Sequence, residues 1–211
     1  MSLQLASSAA IHGFILALGL ILPLGVQNVF IFQQGALQQS FRKALPAVLT
    51  AAICDTLLIG LAVAGMSLAV LNNSWMETLL MAAGSVFLLY MGVSLWRRQP
   101  GSASGEAAVY SGHRQIAFAA SVSLLNPHAI LDTIGVIGGA SLQYAGAQRL
   151  AFAFSCIVVS WLWFAALAVA GRLAGRRDPS GRLIQLLNKA SAVIVAGIGL
   201  GLLYTAVTRM L

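Results

Sequence analysis

Two stretches of this sequence place polar side chains where the residues around them are almost all apolar. Residues 22–30 read L-P-L-G-V-Q-N-V-F, and residues 125–133 read L-N-P-H-A-I-L-D-T. In both, a proline stands five residues before an amide or a carboxylate, as the pairs Pro23–Asn28 and Pro127–Asp132. Proline interrupts helical hydrogen bonding, and a broken helix in a membrane is tolerated only where it lines a cavity or packs within protein. The two stretches therefore predict two broken helices at a functional site.

Asp55 and Asp132 are carboxylates inside long apolar runs, and no Lys or Arg lies in the interior of a run to pair with either one. A carboxylate at the centre of a bilayer costs about 2.5–3.5 kcal/mol. Removal from water disfavours its charged form, so each can hold a proton in an empty site and release it when a cation binds. That is the minimal device for exchanging a cation against a proton. The alternative is a protonated acid that is hydrogen-bonded between helices.

The amides of the two stretches have two interpretations each. Gln27 and Asn28 follow a Pro–Gly break, where they either clamp the carboxylate or ammonium of an amino acid or cap carbonyls freed by Pro23 and Gly25. Asn126 occupies the matching place before the second proline, at Pro127.

Three further polar residues adjoin these groups. Thr56 and Thr133 each follow an aspartate, and ordinary hydrogen bonding between helices is the favoured interpretation, with substrate or proton binding as the alternative. His128 follows the second proline, where it either relays protons or caps backbone.

The composition requires a membrane protein. Of 211 residues, 59% are hydrophobic and 8% are charged, and the mean hydropathy is +0.89, whereas soluble domains carry about 25% charged residues. In a soluble protein the net charge of +7 would favour nucleic-acid binding, but here the basic residues cluster between apolar runs, which is typical of cytoplasmic loops. The two cysteines have no metal-ligand spacing. We therefore expect no nucleic acid, metal or cofactor.

Six apolar runs are long enough for the 20 or so residues that a membrane helix needs. They cover approximately residues 8–32, 45–71, 75–96, 116–140, 150–171 and 187–207. The predicted fold is an all-α integral membrane protein of six transmembrane helices, in a single membrane domain over residues 1–211. It consists of two three-helix halves, 1–96 and 115–211, joined by a cytoplasmic linker, 97–114. Because each half has an odd number of helices, the repeats are inverted, with the first and fourth helices broken.

The basic residues predict the orientation. Ten of the 12 Lys and Arg residues lie in or beside the first, third and fifth loops, so these loops face the cytoplasm. In the last run, Gly197-x-x-x-Gly201 permits close helix contact, either within the monomer or in a homodimer.

The motifs of the two breaks, together with C-D-T at residues 54–56, resemble the LysE/ArgO family of basic amino acid exporters in the LysE superfamily. The resemblance covers essentially the whole chain. It implies efflux of L-arginine or L-lysine across the bacterial inner membrane, driven by the proton-motive force. The family's membrane-embedded aspartates match Asp55 and Asp132. Its broken-helix motifs match Pro23, Gly25, Gln27, Asn28, Asn126 and Pro127.

Other functions remain as alternatives at this stage. Exporters of threonine, homoserine and other neutral amino acids in the same superfamily usually carry P-G-P where this chain has P-L-G at residues 23–25. Exporters of divalent metals are also similar, but two carboxylates and one histidine are few ligands for a soft metal. An intramembrane aspartyl protease would resemble Y-D and G-x-G-D, whereas this chain has C-D and L-D. We therefore do not expect an enzyme.

Overall fold

The structure is a computed structural model that describes residues 2–22, 25–38, 40–66, 74–97, 110–126, 129–130, 132–177 and 182–210. The regular secondary structure of these residues is entirely helical. Its elements are α1 (Ser2–Ile21), α2 (Val26–Leu37), α3 (Phe41–Leu61) with a π-helical turn over Ala62–Met66, α4 (Ser74–Arg97), α5 (Gly112–Leu124), a π-helical segment (Asp132–Gly138) that runs into the short turn Gly139–Ser141, α6 (Gly146–Arg177) and α7 (Arg182–Met210).

Both predicted helix breaks are confirmed. The first separates α1 from α2, whose axes are bent by 80° relative to each other. The second follows the end of α5 at Leu124, after which helical backbone resumes at Ala129. Pro23, Pro127 and His128, which the sequence places at these breaks, lie outside the described residues.

Two of the described helices are long and apolar enough to cross a bilayer by themselves. They comprise Phe41–Gly65, which includes α3, and Gly146–Arg177, which is α6. The bent pair of α1 and α2 passes the same test when its two arms are taken as one span. The left-handed backbone of Gly65 (φ 97°) ends the first of these spans, because only glycine adopts this conformation readily.

Helix α6 lies at the centre of the packing and contacts α1, α2 and α3. Helix α3 in turn packs against α5 and the π-helical segment, while α4 and α7 pair along their length. The broken helix of each half of the chain therefore packs against the middle helix of the other half. Neither half could bury its polar break without the other.

Small residues allow α2 and α6 to approach closely. A Cβ atom added at Gly35 would clash with the backbone of Ala168, and one added at Gly171 would clash with the carbonyl oxygen of Phe32. Helices in lipid associate largely through such packing of small residues, since lipid tails are as apolar as the side chains themselves. In contrast, Gly197 is exposed and a Cβ there would meet open space.

A side-chain amide hydrogen-bonds the backbone of α3 beside a proline near the start of this helix. Pro46 lies inside this helix, and Gln115 from α5, only 1% exposed, inserts its amide beside it. The Gln115 side chain donates to the carbonyl of Lys43 (2.9 Å) and accepts from the N–H of Ala47 (3.3 Å). It also donates to the carbonyl of Tyr110 (2.9 Å). The two halves of the chain are thus tied together by hydrogen bonds at a proline.

Three apolar clusters surround the meeting point of the two breaks. The first cluster contains Phe30, Ala51, Ala119 and Phe164 and extends through the start of α3. The second contains Ala17, Ile59, Phe152 and Val159. The third contains Leu88 of α4 and Val195 of α7, together with Val26 and Val122. Each cluster draws residues from both halves of the chain. The core is therefore formed between the halves and lies around the breaks.

We predict that Gly171→Ala destabilises the protein by about 1–3 kcal/mol, the usual cost of overpacking, because the new methyl group collides with the Phe32 carbonyl. The measurement is the midpoint of thermal unfolding in detergent. Gly197→Ala is the matched control on α7; it should be neutral or stabilising, since alanine has the better helix propensity. Equal effects of the two substitutions would contradict the close packing of α2 on α6.

Candidate substrate-binding cavity

The two helix breaks line the same cavity, which has a volume of about 250 Å³. Most of its wall is apolar and comes from α1, α3, α4, α6 and α7. Polar side chains project into it from both breaks and from two intact helices. These polar residues are Gln27, Asn28, Asp55, Asn126, Asp132, Thr133 and Ser160. Six of the seven residues predicted from the sequence as substrate- or proton-binding are therefore brought together at a single place.

Asp55 projects from α3 and accepts hydrogen bonds from neutral side chains on two other helices. The Nε2 of Gln27, in the first turn of α2, lies 3.4 Å from its Oδ1. The hydroxyl of Ser160, on α6, also hydrogen-bonds this carboxylate. The contacts join the first break to the centre of α6, so the position of Asp55 depends on how α2 and α6 pack.

Ser160 is a site residue that the sequence did not reveal. It is 4% exposed and lies in the middle of the apolar run of α6, between Val159 and Trp161. A single hydroxyl in such a run is commonly a helix-packing residue. That its partner is the carboxylate of Asp55 follows only from the packing of α3 against α6 in the structure.

Asn28 does what the capping interpretation expects. It is 5% exposed, and its Nδ2 donates a 2.7 Å hydrogen bond to the carbonyl oxygen of Ile21, the last residue of α1. The break removes the partners of the last carbonyls of α1, and the Asn28 amide replaces one of them. Since Asn28 also lines the cavity, it holds the break together at the site itself.

The second break contributes Asn126, Asp132 and Thr133 to the cavity. The N–H of Ile130 bonds to the carbonyl of Asn126 (3.1 Å), which restarts helical backbone beyond the break. The side-chain oxygen of Asn126 is fully buried and has no hydrogen-bond partner in the described part of the chain. Buried acceptors are rarely left in this state, so this oxygen is an open position for a donor.

Thr56 does not line the cavity, in contrast to Thr133. Its hydroxyl donates to the carbonyl of Ala52 (2.7 Å) and accepts from the indole N–H of Trp161 (3.0 Å). This is the interhelical hydrogen bonding that the sequence favoured for the threonines. Together, the Asp55–Ser160 and Thr56–Trp161 contacts connect α3 to α6 at two successive positions.

The charge of the cavity is acidic. Asp55 and Asp132 are its only ionisable side chains among the described lining residues, and none of those residues is Lys or Arg. The described residues also contain no group of three or more His, Cys, Asp or Glu side chains that could hold a metal ion. The arrangement can attract a small cation and can hold one or two protons.

Broken membrane helices that direct polar side chains into one cavity define a membrane transporter. The family model described as LysE type translocator matches residues 18–206, and the chain belongs to this family of amino-acid transporters.

Several relatives cover nearly the full length of the chain. YisU from Bacillus subtilis (strain 168), provisionally named as an amino-acid transporter, is 58% identical over 188 residues, 89% of this chain and 86% of its own. The arginine exporter ArgO of Salmonella typhimurium is 31% identical over 188 residues, 87% of this chain and 88% of its own. YggA of Aeromonas salmonicida, also named for amino-acid transport, is 29% identical over 92% of this chain and 95% of its own. No solved structure matches the chain.

We predict that Asn28→Leu lowers the thermal stability of the empty protein by about 1–3 kcal/mol, because the partly buried carbonyl of Ile21 loses its donor. The measurement is thermal unfolding in detergent without substrate. Thr205→Val, which removes an exposed hydroxyl that bonds its own helix, is the control and should change stability little. If Asn28→Leu loses transport without any loss of stability, the amide serves the ligand and not the break.

Proposed function

We propose that this protein exports basic amino acids, L-arginine or L-lysine, from the cytoplasm across the bacterial inner membrane in exchange for protons. The observation that carries the proposal is the convergence of Asp55 and Asp132 on one cavity whose described lining contains no basic side chain. A site of this charge favours a cationic substrate over a neutral one. The names of the ArgO relatives support arginine in particular.

The size of the cavity supports an amino acid as its occupant. At about 250 Å³ it lies just below the range of about 300–1,000 Å³ that is usual for pockets that hold larger organic ligands. The apolar part of the wall suits the aliphatic stem of lysine or arginine. The first N–H groups of α2, whose N-cap residue Gly25 supplies no side-chain hydrogen bond, suit the substrate carboxylate.

Proton exchange follows from the energetics of the membrane. Moving one positive charge outward against an inside-negative potential costs about 2.3 kcal/mol per 100 mV. Inward movement of one proton for each basic amino acid cancels this cost. Carboxylates that bind either a proton or a cationic substrate, but not both at once, would enforce the exchange.

The packing of the helices supports inverted repeats as the framework of transport. Among the described residues, a broken helix is followed by two further helices on each side of the linker, and each broken helix packs against the middle helix of the other half. This is the contact pattern expected of two halves related by a two-fold axis in the membrane plane. With the linker 97–114 and the other basic loops on the cytoplasmic side, rocking of one half against the other would expose the cavity to each side in turn.

The substrate is tested by counterflow in proteoliposomes, with labelled arginine and a panel of unlabelled amino acids. We expect arginine and lysine to compete and neutral amino acids to compete at least tenfold less well, since the latter lack the charge that the two carboxylates attract. Equal competition by threonine, homoserine or leucine would contradict the proposal and would favour a neutral amino acid exporter.

The role of the second carboxylate is tested with Asp132→Asn. We expect accumulation of arginine driven by a pH gradient to fall to background, because the cavity loses half of its negative charge. Ser121→Ala, which removes an exposed hydroxyl on α5 that bonds its own helix, is the control and should transport normally. Full activity of Asp132→Asn, at an equal amount of protein in the membrane, would remove this carboxylate from the mechanism.

A further inference from the structure

Asp55, one of the two carboxylates of the cavity, has neutral hydrogen-bonding partners. Asp55 is bound by Gln27 and Ser160, which are both neutral and both able to donate and to accept hydrogen bonds. As a carboxylate, Asp55 accepts from these two side chains. As a protonated acid, it can donate to the Ser160 oxygen or to the amide oxygen of Gln27. Its contacts are therefore satisfied in both protonation states without any help from a substrate.

Asn126 presents the opposite case. Its side-chain oxygen is buried, lines the same cavity and has no partner among the described residues. An amide oxygen does not take up a proton in the pH range of a cell, so only an N–H or O–H donor can satisfy it. Asp132 lies six residues further along, at the start of the π-helical segment of the same break, and lines the same cavity. A cationic group that enters this end of the cavity finds an amide oxygen and a carboxylate.

We infer that the two carboxylates divide the work of exchange: Asp55, which α3 places beside the first break, binds the transported proton, and the second break, through Asn126 and Asp132, binds the cationic group of the substrate. The inference rests on the proposed function, since it assumes a substrate with a guanidinium or an ammonium group. Ser160 is a positioning residue in this scheme, because it acts on the reaction only through Asp55. Gln27 has the same role from α2.

Separate positions for the proton and the substrate predict a behaviour that a single position for both would not show. Exchange of internal for external arginine needs the substrate position but no net movement of protons. Accumulation driven by a pH gradient needs both positions. The two modes of transport therefore separate the role of Asp55 from that of the second break.

The experiment compares the full-length protein and its variants in proteoliposomes, with labelled arginine in both modes. For Asp55→Asn, we expect gradient-driven accumulation to be lost while exchange of internal for external arginine persists. For Asn126→Ala, we expect the half-saturating arginine concentration to rise about tenfold in both modes, as for the loss of a hydrogen bond to a charged group. Ser123→Ala is the matched control: its hydroxyl is also buried, close to the second break and beside Cys54, but it does not line the cavity, so both modes should be unchanged.

Ser160 supplies a second variant in case Asp55→Asn does not reach the membrane. Ser160→Ala should shift the pH dependence of driven accumulation without changing the half-saturating concentration of exchange, and Ser160→Thr should restore the original profile. The groups that can titrate near Asp55 are Cys54, its neighbour on α3, and Asp132 across the cavity. The described lining residues of α1, α2, α4, α6 and α7 contribute no ionisable side chain.

The outcomes distinguish the inference from the proposed function. If the unaltered protein exchanges arginine and the variants behave as described, the division of roles is supported. If the unaltered protein exchanges arginine but Asp55→Asn loses exchange as well, or Asn126→Ala leaves both modes unchanged, the division is overturned and basic amino acid transport stands. If the unaltered protein carries neither arginine nor lysine in either mode, the proposed function and the inference fall together.

Discussion

The structure depends on one constraint: where a helix is interrupted inside a membrane, the freed backbone groups must find partners within the protein. This chain meets the constraint with side-chain amides. Asn28 binds the carbonyl that ends α1, and Gln115 bridges the backbone next to Pro46 in α3. Both amides bind backbone groups where regular helical hydrogen bonding is interrupted, in an apolar environment. Because Asn28 stabilises the first break in this way, that break can stay open toward the cavity and need not collapse into regular helix.

The position of the cavity depends on how closely α2 packs against the central helix, α6. Small residues let α2 lie against α6 at backbone contact, with Gly35 facing Ala168 and Gly171 facing Phe32. This contact sets the first turn of α2 beside the middle of α6, where Ser160 and Gln27 both reach Asp55. Helix packing in lipid has little hydrophobic driving force, so a geometry of this kind has to come from shape. The glycines thereby determine the site without contributing an atom to its chemistry.

Two carboxylates in one cavity of about 250 Å³ give the protein both a source of affinity and a means of coupling. Charge that is held away from water acts more strongly on a ligand than the same charge in solvent, which suits capture of a cation. The same removal from water favours the neutral form of a carboxyl group, so a carboxylate that has lost its cation tends to take up a proton. The capture and the release of a substrate are therefore linked to the protonation of a carboxylate in the same cavity.

The sequence alone determined the class of protein, its helical composition, both breaks and most of the polar residues of the site. This was so because lipid tolerates so few polar side chains that each departure from apolar sequence carries information. The family motifs in the breaks added the expectation of amino-acid export, and the match to the LysE type translocator family agrees with it.

Only the tertiary structure decided which polar residues meet. It placed Thr133 in the cavity and Thr56 against Trp161, although both follow an aspartate in the sequence. It also made Ser160 a partner of Asp55, paired Asn28 with a carbonyl and left the side-chain oxygen of Asn126 without a donor among the residues that the structure describes. These outcomes depend on which faces of separate helices come together, and that is set by contacts between residues distant in the chain, which local pattern does not encode.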